Sequence, residues 1–174
     1  NDQPNGLGGV SPVYDINRNI VAIYAGDRLG RLWKFDFSST APGSQASSTP
    51  LQATATKMFT TAEVSNKRQP ITAAPRVMAH PLGGRLLVFG TGRLTEGDDV
   101  GDTTVQSIYA VWERLPSSTF TALTPTDLYS FTLSETGSAA LKTRARELNG
   151  LSGFNWSNKG WRVDLQVEHA DRPP

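Results

Sequence analysis

Cysteine is absent from the 174 residues, which excludes a disulfide framework and any thiolate metal cage while leaving the redox compartment undetermined. An excess of one charge sign is missing too. Lys and Arg number 17 and Asp and Glu 16, a formal net charge of +1, so no overall field draws the chain to nucleic acid or to an anionic membrane. No run of about 18 apolar residues occurs, the length a membrane-spanning helix needs. Imidazole is scarce: His80 and His169 are the only histidines, and neither stands in a known spacing from a serine nucleophile and an orienting carboxylate. The phosphate-cradling and zinc-protease motifs are lacking as well. Catalysis is therefore not expected of this segment. The opening Asn1-Asp2-Gln3-Pro4-Asn5-Gly6 has no initiator Met, basic stretch or apolar stretch. The expectation is a piece of a longer polypeptide, with any signal peptide upstream.

What is present is turn chemistry and alternation. The chain carries 16 Gly and 11 Pro with 37% hydrophobic residues, the composition of short strands joined by turns. Ser11-Pro12-Val13 opens a strand, IVAIYA over 20–25 forms a second, and Gly26-Asp27-Arg28-Leu29-Gly30 turns into RLWKFDF over 31–37. There Leu32, Lys34 and Asp36 alternate against Trp33, Phe35 and Phe37. The same grammar returns in Ala74-Pro75-Arg76-Val77, a Pro81-Leu82-Gly83-Gly84 turn, RLLVF over 85–89 and QSIYAVWE over 106–113. Pro12 and Pro75 stand 63 positions apart, Gly26 and Gly90 64 apart. A Ser, Thr and Pro-rich excursion over 38–52 leads to an outer strand within 51–60. An acidic insert over 94–103 delays the third strand of the second unit. LYSFTLS over 128–134 has the matching outer position in that unit, and 141–148 and 160–167 read as two further strands.

A period of some 60 residues with about four strands predicts an all-β fold: a partial β-propeller of antiparallel meander blades, about two blades plus part of a third. The units run approximately over 6–62, 70–135 and, in part, 140–168. One blade buries its faces only against its neighbours, so such a chain is a fragment of a larger ring or self-associates through uncovered faces.

The stretches Gly6-Leu7-Gly8-Gly9-Val10-Ser11-Pro12-Val13, 20–27 and Gly30-Arg31-Leu32-Trp33-Lys34-Phe35-Asp36 resemble the PilY1/PilC family of type IV pilus tip-associated proteins. The likeness continues through Gln69-Pro70-Ile71-Thr72-Ala73-Ala74-Pro75, Val88-Phe89-Gly90-Thr91-Gly92, Val105-Gln106-Ser107-Ile108-Tyr109, Trp156 and Lys159-Gly160-Trp161. The resemblance implies a segment of that family's C-terminal, quinoprotein-like propeller, with structural and adhesive roles in pilus biogenesis, surface attachment and twitching motility. Implied partners are other pilus-tip or minor pilin proteins and host or abiotic surfaces. The implied location is exported: outer membrane, cell surface or pilus tip. Residues 25–33 resemble a tryptophan-docking motif, which is structural in quinoproteins. An oxidoreductase would need cofactor ligands outside this segment, and no cofactor is expected within it.

Calcium is the alternative considered, in a calcium-regulated binding module of the same propeller. Asp15, Asn17 and Asn19 have the spacing that sets alternate oxygens around a hard cation, but Ile20 stands where such a loop needs glycine and the later acidic ligands are missing. A hairpin turn is the competing reading. The insert offers Asp98, Asp99 and Asp102 beside Glu96, either a cation loop or a solvated one. The tryptophans, Trp33, Trp112, Trp156 and Trp161, can stack on a sugar or pack blade against blade. The second reading rests on Trp33 and Trp112 holding corresponding places in repeated strands. Arg144 and Arg146, beside Lys142, read as a wet strand face.

Overall fold

Two β-sheets packed face to face dominate the described part of the chain, which in this computed structural model is residues 5–37, 53–64, 67–94, 97–115, 120–138 and 143–165. The excursion over 38–52 lies outside them. The first sheet is a four-stranded antiparallel meander in the order β1 (Leu7–Tyr14), β2 (Ile20–Asp27), β3 (Arg31–Asp36), β4 (Thr54–Thr60). Its tightest turn needs glycine: Gly30 has φ 71°, a left-handed backbone, and a Cβ there would lie 2.0 Å from the Thr61 hydroxyl. A two-stranded ribbon, β5 (Glu63–Val64) and β6 (Lys67–Arg68), leads on to the second sheet.

That sheet has six strands. β7 (Arg76–Ala79), β8 (Arg85–Gly90) and β9 (Ser107–Glu113) form the expected meander, followed in the chain by β10 (Tyr129–Ser138), β11 (Thr143–Asn149) and β12 (Gly160–Asp164). In space the order is β11-β10-β12-β9-β8-β7. β12 runs antiparallel to β9, and β10 runs parallel to β12. The strand expected to close the second unit thus keeps its direction but sits one position further out, because β12 takes the place beside β9. The two strands expected to begin a third unit belong to the second sheet instead. Gly160 permits the insertion: a Cβ there would lie 2.0 Å from the Ala110 carbonyl. The β9–β10 connection is held elsewhere meanwhile, since the Thr60 amide donates to Leu123 O at 3.0 Å and the Leu123 amide to Met58 O at 2.9 Å. It is stitched to the edge of β4.

Strand pairing refines the repeat. Gly26 and Gly90 hold equivalent places, since Ala25 pairs with Trp33 as Phe89 pairs with Tyr109. The first strands are offset differently: Pro12 faces Ile23 and Val77 faces Leu87. Val77, not Pro75, therefore takes the position of Pro12.

The core lies between the sheets. Ala22, Tyr24, Leu32 and Phe59 of the first meet Leu87, Phe89, Tyr109 and Val111 of the second, with Ile71 and Leu123 closing the ends. Phe59 packs with Phe89 at 5.7 Å and Tyr109 at 4.9 Å between ring centroids, edge-on and tilted contacts that add to area burial. The opposite face of the first sheet stays partly open, with Val10 at 53% and Tyr14 at 54% exposure and Trp33 and Phe35 half-buried beside them.

Because Leu87 is fully buried in this layer, Leu87→Ala should lower unfolding stability by about 2–5 kcal/mol, read from denaturant melts. Ile16→Ala, at a tip residue 98% exposed, should stay within about 0.5 kcal/mol of the parent.

Candidate functional site

The seam between the sheets contains charge. Glu113, at the end of β9, is fully buried and reaches into the first sheet. Lys34 Nζ lies 2.7 Å from its Oε1, and the Tyr24 hydroxyl donates to its Oε2 at 2.5 Å. Arg85 Nη1 donates to the same Oε2 at 3.3 Å and to the Tyr24 hydroxyl at 3.1 Å. Lys34 also contacts Asp36 at 2.7 Å. Burial, together with the Glu113 carboxylate, keeps the proton on Tyr24 well above the ordinary phenol range. Two strands of each sheet therefore contribute to one network, and a buried charge survives only when so paired.

A second set of polar contacts binds the linker. Gln69 Nε2 donates to Val105 O at 2.6 Å and to Ser107 Oγ at 2.8 Å, while the Tyr109 hydroxyl donates to Gln69 Oε1 at 2.5 Å. Burial raises the Tyr109 pKa. Ile71 N donates to Asp27 O at 3.0 Å, and Gly92 N to Pro70 O at 2.9 Å. One short segment thus joins the ends of β2 and β8. Gly26 is needed here, since a Cβ would come within 2.1 Å of Ile71 Cγ2.

Asp27 organises the turn that resembles a docking motif. Its Oδ1 accepts from Leu29 N and Arg31 N, both at 2.9 Å, and its Oδ2 accepts from Trp33 Nε1 at 2.9 Å. Trp33 and Trp112 are not equivalent, contrary to the expectation from the repeat. Pairing makes Tyr109 the counterpart of Trp33, and Trp112 lies nearer the other end of its strand. Tyr109 points into the seam, so by the repeat Trp33 and Phe35 point to where a preceding sheet would sit. Trp112 is on the far face of the second sheet, donating to Gly83 O at 2.8 Å, stacked on His80 at 4.0 Å and covered by Arg114 at 4.1 Å. Trp156 meets His80 and Phe154, and Trp161 meets Phe131, all edge-on. This is packing of a sheet face by its own loop.

His80 is engaged as a turn residue: Leu82 N donates to its Nδ1 at 3.1 Å, and burial, with Arg114 nearby, lowers its pKa. His169 lies outside the described residues.

The described calcium candidates do not converge. Both carboxylate oxygens of Asp15 close its own hairpin: Oδ1 accepts from Asn17 N and Asn19 N at 2.8 Å and Oδ2 from Asn19 Nδ2 at 3.0 Å. The Asn19 side-chain bond is foremost in lowering the Asp15 pKa. Arg18, at φ 66°, completes the turn. Asp99 is paired with Arg93 at 2.7 Å, and Asp102 accepts from Thr104 N at 2.9 Å. The Asp98 side chain and Glu96 lie outside what is described. Among the described residues no three acidic or imidazole groups gather as a metal would require. Arg146 reaches Glu135 at 3.2 Å.

Two consecutive sheets, each built on an antiparallel meander and packed face to face, define the class: a segment of a β-propeller. The comparisons agree with the geometry. A family model described as the PilY1 beta-propeller domain matches residues 2–146, and the chain belongs to this family. It is 30% identical to the type IV pilus biogenesis factor PilY1 of Pseudomonas aeruginosa strain PAO1, over 94% of this chain and 17% of that protein. A PilY1 homolog of Xylella fastidiosa is 38% identical over 63% of the chain and 8% of its own length. The crystal structure of the Pseudomonas aeruginosa PilY1 C-terminal domain superposes with a TM-score of 0.69 at 26% identity, covering 95% of this chain and 40% of that one. The chain spans less than a fifth of the curated relatives.

One ion pair fixes the loop before β10. Asp127 lies 2.9 Å from Lys159 Nζ and accepts from Thr124 N at 3.0 Å. Lys159 first, and then Thr124, lower its pKa from 3.8 to about 2. Because the folded value is the lower one, the pair's stabilisation is complete above pH about 4 and fades as pH falls towards about 2. Carboxyl NMR titration should place Asp127 near 2, and Lys159→Ala should return it towards 3.8.

Proposed function

We propose that this chain is a structural segment of the propeller in a type IV pilus biogenesis factor. In this reading the propeller stands with the pilus at the cell surface, supports assembly and presents loops for attachment and twitching. Family membership and the relatives' designation as type IV pilus biogenesis factors support the pilus context. The structural role has its own support: three carboxylates are spent on holding the fold. Glu113, Asp27 and Asp15 hold a seam, a turn and a hairpin respectively. The mechanism is steric, a rigid stack whose insertions fall where sequence can vary.

The observation that carries this reading is the open face of the first sheet. Trp33 and Phe35 occupy the places that Tyr109 and Val111 occupy in the second sheet, where they are wholly buried against a neighbour. A repeat unit with a contact face of this kind belongs in a longer stack. The occupant of that face in the complete protein is a further blade.

In cells carrying the complete protein, Phe35→Asp should reduce the folded protein and surface pili severalfold, counted by electron microscopy, because a charge is driven into a blade contact. Ile16→Asp at the exposed hairpin should leave both unchanged. Normal piliation with Phe35→Asp would count against the stacked-blade reading.

A further inference from the structure

A cleft of about 560 Å³ opens beside the β4 edge, where the first sheet meets the second. Four cationic side chains line it: Arg31 from β3, Lys57 from β4, Arg68 from β6 and Arg162 from β12, with Thr60 and Thr126 between them. Among the described residues no carboxylate lines it. Arg68 donates to Thr61 O at 3.1 Å, and Arg162 reaches Asp164 only at 3.7 Å. The Arg162 Nε–H is buried without an acceptor among the described residues. A buried charged donor left unmatched carries a desolvation cost. The chain as a whole is nearly neutral, so this concentration of one sign is local.

We propose that the cleft is a binding site for a ligand bearing clustered carboxylates. Arginine forks match planar carboxylates two bonds at a time, and the threonine hydroxyls and Lys57 add donors that need no fixed geometry. The volume is within the range of small-molecule sites, too large for a lone inorganic ion. The four cations stand on four different strands rather than around a nest of backbone amides. That spacing suits several separated carboxylates better than one compact phosphate. Two sources share the chemistry: a free polycarboxylate and an acidic stretch of another polypeptide.

Isothermal titration of the full chain with citrate, hexaglutamate and inorganic phosphate tests the site. Saturable binding of citrate or hexaglutamate that weakens with salt is expected, and the tighter of the two identifies the source. Arg162→Gln and Lys57→Gln should each weaken it about tenfold or more, the scale of one charge-assisted pair. Arg114→Gln, on the far face over Trp112, should not change it. Lys57 is exposed, so that arm stands even if the Arg162 variant fails to fold, as circular dichroism would show. No saturable binding, equal binding by the Lys57 variant, or phosphate binding more tightly than both carboxylates would overturn the assignment.

Discussion

A carboxylate without water needs cations and donors at fixed places, and Glu113 imposes that requirement on both sheets at once. Its partners are Lys34 and Tyr24 from one sheet and Arg85 from its own. Hydrophobic contact between flat sheets is indifferent to small slides, whereas charged hydrogen bonds are satisfied at one register only. The aromatic layer of Phe59, Phe89 and Tyr109 supplies the non-directional attraction, and the Glu113 network selects the alignment in which the layer forms. The linker contacts of Gln69 and Ile71 follow from that alignment, as does the cleft, whose walls come from both sheets.

Much of the fold was legible because β-structure writes a period of two between Gly and Pro punctuation. β2, β3, β8 and β9 lie where alternation and turns predicted them. The choice of partner strand was less legible. Nothing local to residues 160–164 says that they pair with β9, because pairing across some fifty residues is settled by which edge is open when the chain returns. The first-strand offset misled for a similar reason: Pro12 and Pro75 match as letters, while hydrogen bonds match Pro12 with Val77.

Faces were harder to read than strands. In RLWKFDF the aromatic side looks like the core, yet Leu32 and Lys34 are buried and Trp33 and Phe35 half-open. The hint lay in QSIYAVWE, where Glu113 shares a face with Tyr109 and Val111; a charge on an apolar face asks for a buried partner of opposite sign. The Asp15 motif shows the reverse, a spacing that suggests a cation and is used by backbone amides. The cleft left no motif, since its cations come from four strands.

The claim on which the account rests is that the Glu113 network couples the two sheets, and a double-mutant cycle between Lys34 and Glu113 measures it directly. Glu113→Leu alone should cost about 3–5 kcal/mol, because it leaves buried Lys34 with Asp36 alone among the described residues as counter-charge and takes the carboxylate acceptor from Tyr24 and Arg85. Lys34→Met together with Glu113→Leu should cost less than the sum of the single changes by about 1 kcal/mol or more. Additive costs, within about 0.5 kcal/mol, would contradict the account and leave the apolar layer alone to align the sheets.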